Sequence, residues 1–449
     1  MQTKNLGILL LLVFVLLFTA ALNPGFLSDH NIKSLIRWTS LFGFCSIGVA
    51  FVIITGGIDL SIGSVIGLSG CLLFLFLDLH WVESDNSATV LGQAAATVDA
   101  RLTELRFAGE NFEPERDDRL LFTDPYGAPT QGTVLATRTE GGETFVTLRE
   151  PNLRIDQSAE VRVAKFTHRP VWMAVGGVLL CSLLIGLTHG LLITRGRLQP
   201  FVVTLCGLLI YRGLARVLTA DQPMGFGATM EPTKALFAGD AFAFPLPAAG
   251  YISRGQWGTV ARDPRTGEVM SGEGGEPVGV AFWEWIDLPI AGLFLLITAV
   301  AAWLFLNKTI WGRYLLALGN NEQAARFSGI PTKRMIVFAY VLCSMLAGFT
   351  GVLFAFDFNG VEPSQLGNVY EMYAIAAAVI GGCSLRGGTG SIFGVIVGTA
   401  VMRALFLAIG ALSIPNSYEF IVIGGALLLA VVTDEVLRRT GARHRLRHG

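Results

Sequence analysis

A chain of 449 residues that is 52% hydrophobic and only 15% charged is not built like a soluble domain, in which about 25% of residues carry charge. Its charges nearly cancel, 33 Lys and Arg against 34 Asp and Glu, so there is no global field to attract nucleic acid. The six cysteines (Cys45, Cys71, Cys181, Cys206, Cys343, Cys383) lie in or at the ends of apolar runs without a CxxC pair, and the six histidines are scattered; this reads as small buried hydrophobes with no metal site and no cofactor.

Lys4 precedes an apolar run over 6–22, close to the roughly 20 residues a bilayer requires. The run ends in Asn23-Pro24-Gly25 rather than a small-residue cleavage site, so it reads as an uncleaved first span and not a signal peptide. Further runs of spanning length fall near 39–55, 60–78, 171–194, 198–218, 287–306, 335–356, 369–383, 389–410 and 418–437. Hydrocarbon offers backbone groups no partners, so these runs are predicted as helices; 369–383 is short enough to be tilted or partly re-entrant. The expected fold is an all-α polytopic membrane protein of about ten transmembrane helices: 1–3 in 1–79, 4–5 in 171–218, and 6–10 in 287–437, with a basic tail at 438–449.

Short-loop Lys and Arg set the orientation. Ten spans starting inside place Lys4, Arg195 and Arg197, the 307–334 loop, the 384–388 loop and the arginine-rich tail in the cytoplasm. Lys33 and Arg37 fall outside and run mildly against the pattern. Two polar inserts then lie outside. The first, 80–170, holds fifteen acids, ten bases and no cysteine. Its segments 131–137, 143–149 and 159–166 read as strands, with Glu140-Gly141-Gly142 as a turn, giving a small β-rich extracytoplasmic insert. The second, 219–286, is rich in Gly and Pro, and its 253–280 stretch reads as an exposed loop.

Two runs carry most of the functional signal. Thr55-Gly56-Gly57-Ile58-Asp59-Leu60-Ser61-Ile62-Gly63-Ser64 sits between apolar stretches. Gly56 and Gly57 let the chain leave one helix, and Asp59 or Ser61 is placed to cap the next. A plain helix break is one reading; a gate lining a pathway is the other, because irregular backbone at membrane depth borders protein or a cavity. Asp59 as a proton-coupling acid is a third. A faint internal echo joins this run, through Gly63 and Gly67, to Gly381-Gly382-x-Ser384-Leu385 and Gly390-Ser391-Ile392-Phe393-Gly394, the kind of repetition transporters use.

The second run is the polar loop 307–334. Asn320 or Asn321 can cap a short helix containing Glu322-Gln323-Ala324-Ala325-Arg326-Phe327, which Gly329 ends and Pro331 stops from continuing. It reads either as a solvated connector or as a coupling helix whose Ala-Ala face admits a partner. His189 in Gly186-Leu187-Thr188-His189-Gly190, Glu371 and Tyr373 are candidate pathway residues. For His189 a packing role stands beside this reading, and for Glu371 a solvated or capping role near the outer end of a span. Gly387-Gly388-Thr389-Gly390 lacks a following Lys, no GxxxxGK[ST] occurs, and the segment reads as a tight turn.

These runs resemble the permease subunit of ribose-type monosaccharide ATP-binding-cassette importers. So do Gln199-Pro200-Phe201-Val202-Val203-Thr204-Leu205 with Arg212-Gly213, Tyr370-Glu371-Met372-Tyr373-Ala374-Ile375-Ala376-Ala377, and Gly381 through Gly394. The likeness covers roughly 1–78, 171–225 and 287–437. It implies a dimeric pore in a bacterial cytoplasmic membrane, formed with a second permease, served by an ATPase subunit and fed by an extracytoplasmic sugar-binding protein. It implies ATPase contact by the loop after Gly319, matched at Glu322, Ala324, Ala325, Arg326 and Gly329; with Gly319, Asn320 and Ile330 these are the candidate coupling residues, and the residues of the first run, Gly56, Gly57, Asp59, Ser61 and Gly63, are the candidate gate. The chain departs from that family where His189 replaces Asn, where Tyr373 replaces Asp, and in the length of its 80–170 insert. The competing class is a self-sufficient secondary transporter of a small polar solute, which needs ionisable residues inside its spans; Asp59 is the clear candidate. A membrane enzyme or receptor is a third class, and no nucleophile–base or metal cluster marks it.

Overall fold

The computed structural model describes residues 3–94, 103–108, 112, 114–116, 118–123, 129–140, 143–149, 160–227, 230–247, 283–422 and the single positions 424, 425, 428 and 432. Most of the expected last span, the basic tail 438–449, the 253–280 loop and turn residues 141–142 lie outside the described residues. The chain divides into a helical body (Met1–Leu73, Val175–Gly225, Pro232–Gly449) and a second unit (Phe74–Ala174 with Phe226–Glu231).

The order runs α1 (Thr3–Leu22), α2 (Asp29–Ile54) and α3 (Ile62–Leu77), then six strands. These are β1 (His80–Ala94), β2 (Thr103–Ala108), β3 (Arg119–Thr123), β4 (Pro129–Glu140), β5 (Glu143–Leu148) and β6 (Glu160–Thr167). Next come α4 (Val171–Thr194), α5 (Pro200–Leu218), β7 (Met224–Gly225), α6 (Glu231–Ala238), β8 (Asp240–Pro247) and β9 (Trp283–Pro289). The chain continues through α7 (Ile290–Lys308), α8 (Ile310–Asn320), α9 (Glu322–Phe327), α10 (Thr332–Asp357), β10 (Gly360–Val361), α11 (Tyr370–Ile380) and α12 (Ile392–Ala411).

Six described helices are long and apolar enough to cross a membrane: α2, α4, α5, α7, α10 and α12. The expected spans at 6–22, 60–78 and 369–383 fall on shorter apolar helices, Leu6–Leu22, Ile62–Leu77 and Tyr370–Ile380. The described residues thus give six long helices where about ten spans are expected. Irregular backbone takes up 60–61 ahead of α3, and the glycine ending at 381–383 takes up the far end of the run that holds α11.

Helix α2 is the hub of the body. It packs against α7, α10, α11 and α12, and every residue from Leu41 to Ile54 is buried, as expected of a helix apolar all round. Where helices must approach closely, glycine permits it. A Cβ at Gly186 or Gly190 of α4 would stand 2.6 Å and 2.7 Å from the Cα atoms of Val341 and Val337 on α10, the small-xxx-small contact of membrane helices.

The second unit is a closed barrel with strand order β1-β2-β5-β4-β3-β6. Segments 131–137, 143–149 and 159–166 overlap β4, β5 and β6. Strand β5 alternates half-buried and buried positions, so Thr144, Val146 and Leu148 turn inward. They join a core that includes Leu105, Phe107, Leu120, Phe122, Val134, Val161 and Val163. Closure removes the free strand edges that a six-stranded insert would otherwise expose.

Candidate functional site

Helix α2 ends in a local motif that its own sequence dictates. Gly56 takes φ +82, its N–H donates to Ile53 O at 2.9 Å, and the Gly57 N–H donates to Val52 O at 3.1 Å. That is a Schellman ending with glycine in the left-handed position. The same motif closes α11, where Gly382 takes φ +88, the Gly382 N–H donates to Val379 O and the Cys383 N–H to Ala378 O, both at 2.9 Å. The two breaks seen faintly as an echo thus share a helix ending. The starts of the following helices differ. Ser391 Oγ accepts from the Gly394 N–H at 3.3 Å and caps α12. Before α3, Asp59 Oδ1 accepts from the Ser61 N–H at 2.9 Å and from Ser61 Oγ at 2.7 Å. Asp59 therefore fixes a turn ahead of the helix, and the Ser61 carbonyl accepts from the Val65 N–H of α3 at 2.9 Å.

The breaks meet at one junction. The Gly388 N–H donates to Ile54 O at 2.9 Å, and a Cβ at Gly387 would lie 2.8 Å from Gly319 O and 2.9 Å from Gly56 N. A Cβ at Gly319 would overlap Ile54 O and Gly388 N. Asn320 Nδ2 donates to Gly388 O at 3.3 Å. The root of the α8–α9 connection thus sits on the end of α2 and on the 387–388 turn together. Gly387 and Gly388, at φ +85 and +77, make that turn tight enough to allow it.

Beyond the root, Thr309 caps α8 by accepting from the Gly312 N–H at 3.2 Å, and Asn321 caps α9 by accepting from the Ala324 N–H at 3.0 Å. Glu322 lies in the first turn of α9 and Arg326 in the last, the placement that suits the helix dipole. Gly329, φ +82, closes α9 with a third Schellman pair, donating to Arg326 O at 3.1 Å while the Ile330 N–H donates to Ala325 O at 3.1 Å. Glu322, Gln323, Ala324, Arg326 and Gly329 are exposed, and Ile330 is half-buried. Ala325 is only 5% exposed, so the pair of alanines is not one open face: Ala324 looks out and Ala325 packs inward. Phe327 is 92% exposed and was not singled out in the sequence. Its only signal there is an aromatic side chain on an otherwise polar and small-residue helix.

Of the pathway candidates, His189 and Glu371 each lie within range of the charge of Asp59. Asp59 is 1% exposed, and the preceding Ile58 carbonyl accepts from Tyr340 Oη of α10 at 3.2 Å and from Thr204 Oγ1 of α5 at 3.4 Å. His189 Nε2 meets Tyr211 Oη at 3.0 Å, and its ring stands edge-on to Tyr340. Gly207 makes room, since a Cβ there would stand 2.7 Å from His189 Nε2. Glu371 is 7% exposed, which overturns a solvated position at the outer end of a span. It lies against Gly63, where a Cβ would overlap both Glu371 Oε2 and Gly367 O. The segment 362–369 runs along a glycine stripe of α3: a Cβ at Gly67 would meet Leu366 O at 2.6 Å, and one at Gly70 would meet Leu366 Cδ2 at 2.8 Å. Arg212 Nη1 also donates to Leu366 O at 2.6 Å. Within this irregular segment Pro363, Leu366 and Gly367 are buried, whereas Glu362, Gln365 and Asn368 are exposed. Among the described residues, one atom each of Asp59 (Oδ2), His189 (Nδ1) and Glu371 (Oε2) is buried without a hydrogen-bond partner. Tyr373 lies apart, its hydroxyl donating to Glu419.

A multi-pass membrane protein, broken at two glycine-closed helix ends and carrying a polar hairpin on their junction, is the class this fold and site define. The family model "Branched-chain amino acid transport system / permease component" matches residues 31–431, and the chain belongs to that family. It is 26% identical to the ribose import permease protein RbsC of Bacillus subtilis (strain 168) over 432 residues, 96% of this chain and 92% of the relative. The ribose import permease protein RbsC of Escherichia coli (strain K12) is 26% identical over 434 residues, 97% and 94%. The xylose transport system permease protein XylH of the same strain is 25% identical over 450 residues, 96% and 91%. No solved structure matches the chain.

Proposed function

We propose that the chain is the permease subunit of an ATP-binding-cassette importer for a pentose-type monosaccharide in a bacterial cytoplasmic membrane. It works with a separate ATPase, an extracytoplasmic binding protein and a second permease. The carrying observation is the α8–α9 connection: an exposed tip of Glu322, Ala324, Arg326 and Phe327 on a root, Gly319 and Asn320, packed against the end of α2 and the 387–388 turn. An ATPase that grips the tip moves the root, and the root moves the end of α2 and that turn with it. Coupling then needs two discrete arrangements of that junction, each biased by one partner. In this reading α8 and α9 face the cytoplasm. The cargo class rests on relatives whose names specify ribose and xylose, matched over nearly their whole length.

A self-sufficient secondary transporter is the second reading, favoured by the three unpartnered buried atoms of Asp59, His189 and Glu371, the kind of groups that ion coupling uses. One experiment separates the two. Tagged chain is purified from native membranes in mild detergent, its companions are identified by mass spectrometry, and radiolabelled ribose and xylose uptake is measured in liposomes. A co-purifying ATPase and uptake that requires ATP support the importer. Gradient-driven uptake by the chain alone overturns it.

A further inference from the structure

At the end of the bundle opposite the α8–α9 connection, Lys33 and Arg37 of α2 are paired, whereas among the described residues Arg403 of α12 makes no ion pair. Lys33 Nζ meets Asp240 Oδ2 at 2.7 Å, and Arg37 pairs with Asp357. Arg403 of α12 is 9% exposed. Its guanidinium lies over three rings, 4.5 Å from Trp38, 5.0 Å from Phe42 and 4.5 Å from Phe406. Its Nε is buried without a partner. Glu419 lies in range of its charge but accepts from the Tyr373 hydroxyl. Aromatic faces offset part of the cost of a buried cation; a full counter-charge is what a low-dielectric site calls for.

A cleft of about 80 Å³ opens beside the guanidinium, lined by Ser34, Leu35, Trp38, Arg403, Phe406 and Leu407. It offers an arginine, a serine hydroxyl and an indole together with the apolar side chains of Leu35, Phe406 and Leu407. Its depth is set by α2, whose 26 residues extend about 39 Å, about 9 Å more than a ~30 Å hydrocarbon core. Ser34 and Trp38 lie about 8 and 14 Å from the start of α2, which brackets the boundary between head groups and acyl chains when the spare length lies at this end. Guanidinium pairs with phosphate through two parallel hydrogen bonds, and the apolar walls suit acyl chains. We propose that this cleft binds an anionic phospholipid, with Arg403 as the counter-charge to its phosphate and Ser34 as a second donor.

The test uses the purified full chain in dodecyl maltoside and follows thermal unfolding as phosphatidylglycerol is added to the micelles. The expected result is a rise of several degrees in the wild type. Arg403→Gln should abolish the rise and Arg403→Lys should keep part of it. Leu35→Trp, which fills the cleft with Arg403 in place, should also abolish it without lowering the starting Tm, and it decides the matter if Arg403→Gln does not fold. An equal rise with diacylglycerol, or a full rise in either Arg403→Gln or Leu35→Trp, overturns the proposal. A rise with inorganic phosphate alone makes this a free-anion site, and a rise with ribose alone makes it part of a sugar pathway; each overturns the lipid assignment.

Discussion

Replacing Gly319 by alanine asks the most of the junction. The added methyl group would overlap Ile54 O and Gly388 N and come within 3.0 Å of Gly388 Cα. All three are backbone atoms, so no side-chain rotation relieves the clash. Overpacking of this kind costs about 1–3 kcal/mol. Separating the segments also endangers the Gly388 N–H to Ile54 O bond of 2.9 Å, worth about 0.5–1.5 kcal/mol. Together they give about 1.5–4.5 kcal/mol, a shift of about tenfold or more between two conformations at ~1.4 kcal/mol per decade. Gly213 is the control: it lies within α5, and a Cβ there meets nothing within 4 Å, so alanine should be neutral or stabilise by up to about 1 kcal/mol. The assay reconstitutes the permease with its ATPase in proteoliposomes and reads ATP hydrolysis and sugar uptake side by side, with a thermal melt on the same sample. Gly319→Ala should lower Tm and depress uptake more than hydrolysis, while Gly213→Ala leaves both near wild type. Wild-type uptake and melting in Gly319→Ala would refute a rigid junction.

Four further outcomes follow from named contacts. Phe327→Ala should change thermal stability by no more than about 0.5 kcal/mol, because the side chain is exposed, yet weaken ATPase capture in a pull-down; unchanged capture counts against the tip as a docking surface. Asp59→Ala removes two hydrogen bonds at the break and should cost about 1–3 kcal/mol, whereas Asp59→Asn keeps an acceptor and should cost less; equal melting of all three proteins would show the turn to be dispensable. Gly63→Ala should fail to accumulate in membranes, and Glu371→Ala should not rescue it, because Gly367 O stands as close as the carboxylate; rescue would place the conflict on the side chain alone. At the end of α5, Arg216 holds the Asp221 carboxyl below its ordinary range through a hydrogen-bonded ion pair. Its contribution is present above the ordinary carboxylate value and is lost as pH falls through the depressed one. A melt series under acid should therefore show a smaller fall for Arg216→Gln than for the wild type.

The features legible in the sequence were those closed within a few residues. Apolar runs imply helices because hydrocarbon supplies no hydrogen-bond partners. Asn321, Gly329 and Pro331 mark the ends of α9 because caps and stops act across three or four positions. Gly56 followed by Gly57 marks the end of α2 for the same reason. Asp59 was legible as the polar group at a break; that it closes on Ser61 depended on where the helix began.

What only the tertiary structure decided joins residues far apart in the chain. Gly319 was legible as part of a loop, but its place against Ile54 and Gly388 comes from three segments converging. Ala324 and Ala325 are identical in type and adjacent, and only packing tells the outward one from the inward one. Hydropathy placed Glu371 near the outer end of a span; the 362–369 segment instead carries it inward against Gly63, because the glycine stripe of α3 admits backbone where a side chain would stand. Arg403 is one arginine in an apolar run until folding sets three aromatic rings around it. Local hydrogen bonding and solvent preference are written residue by residue, whereas close approach and burial are properties of pairs, and a single sequence does not say which pairs will meet.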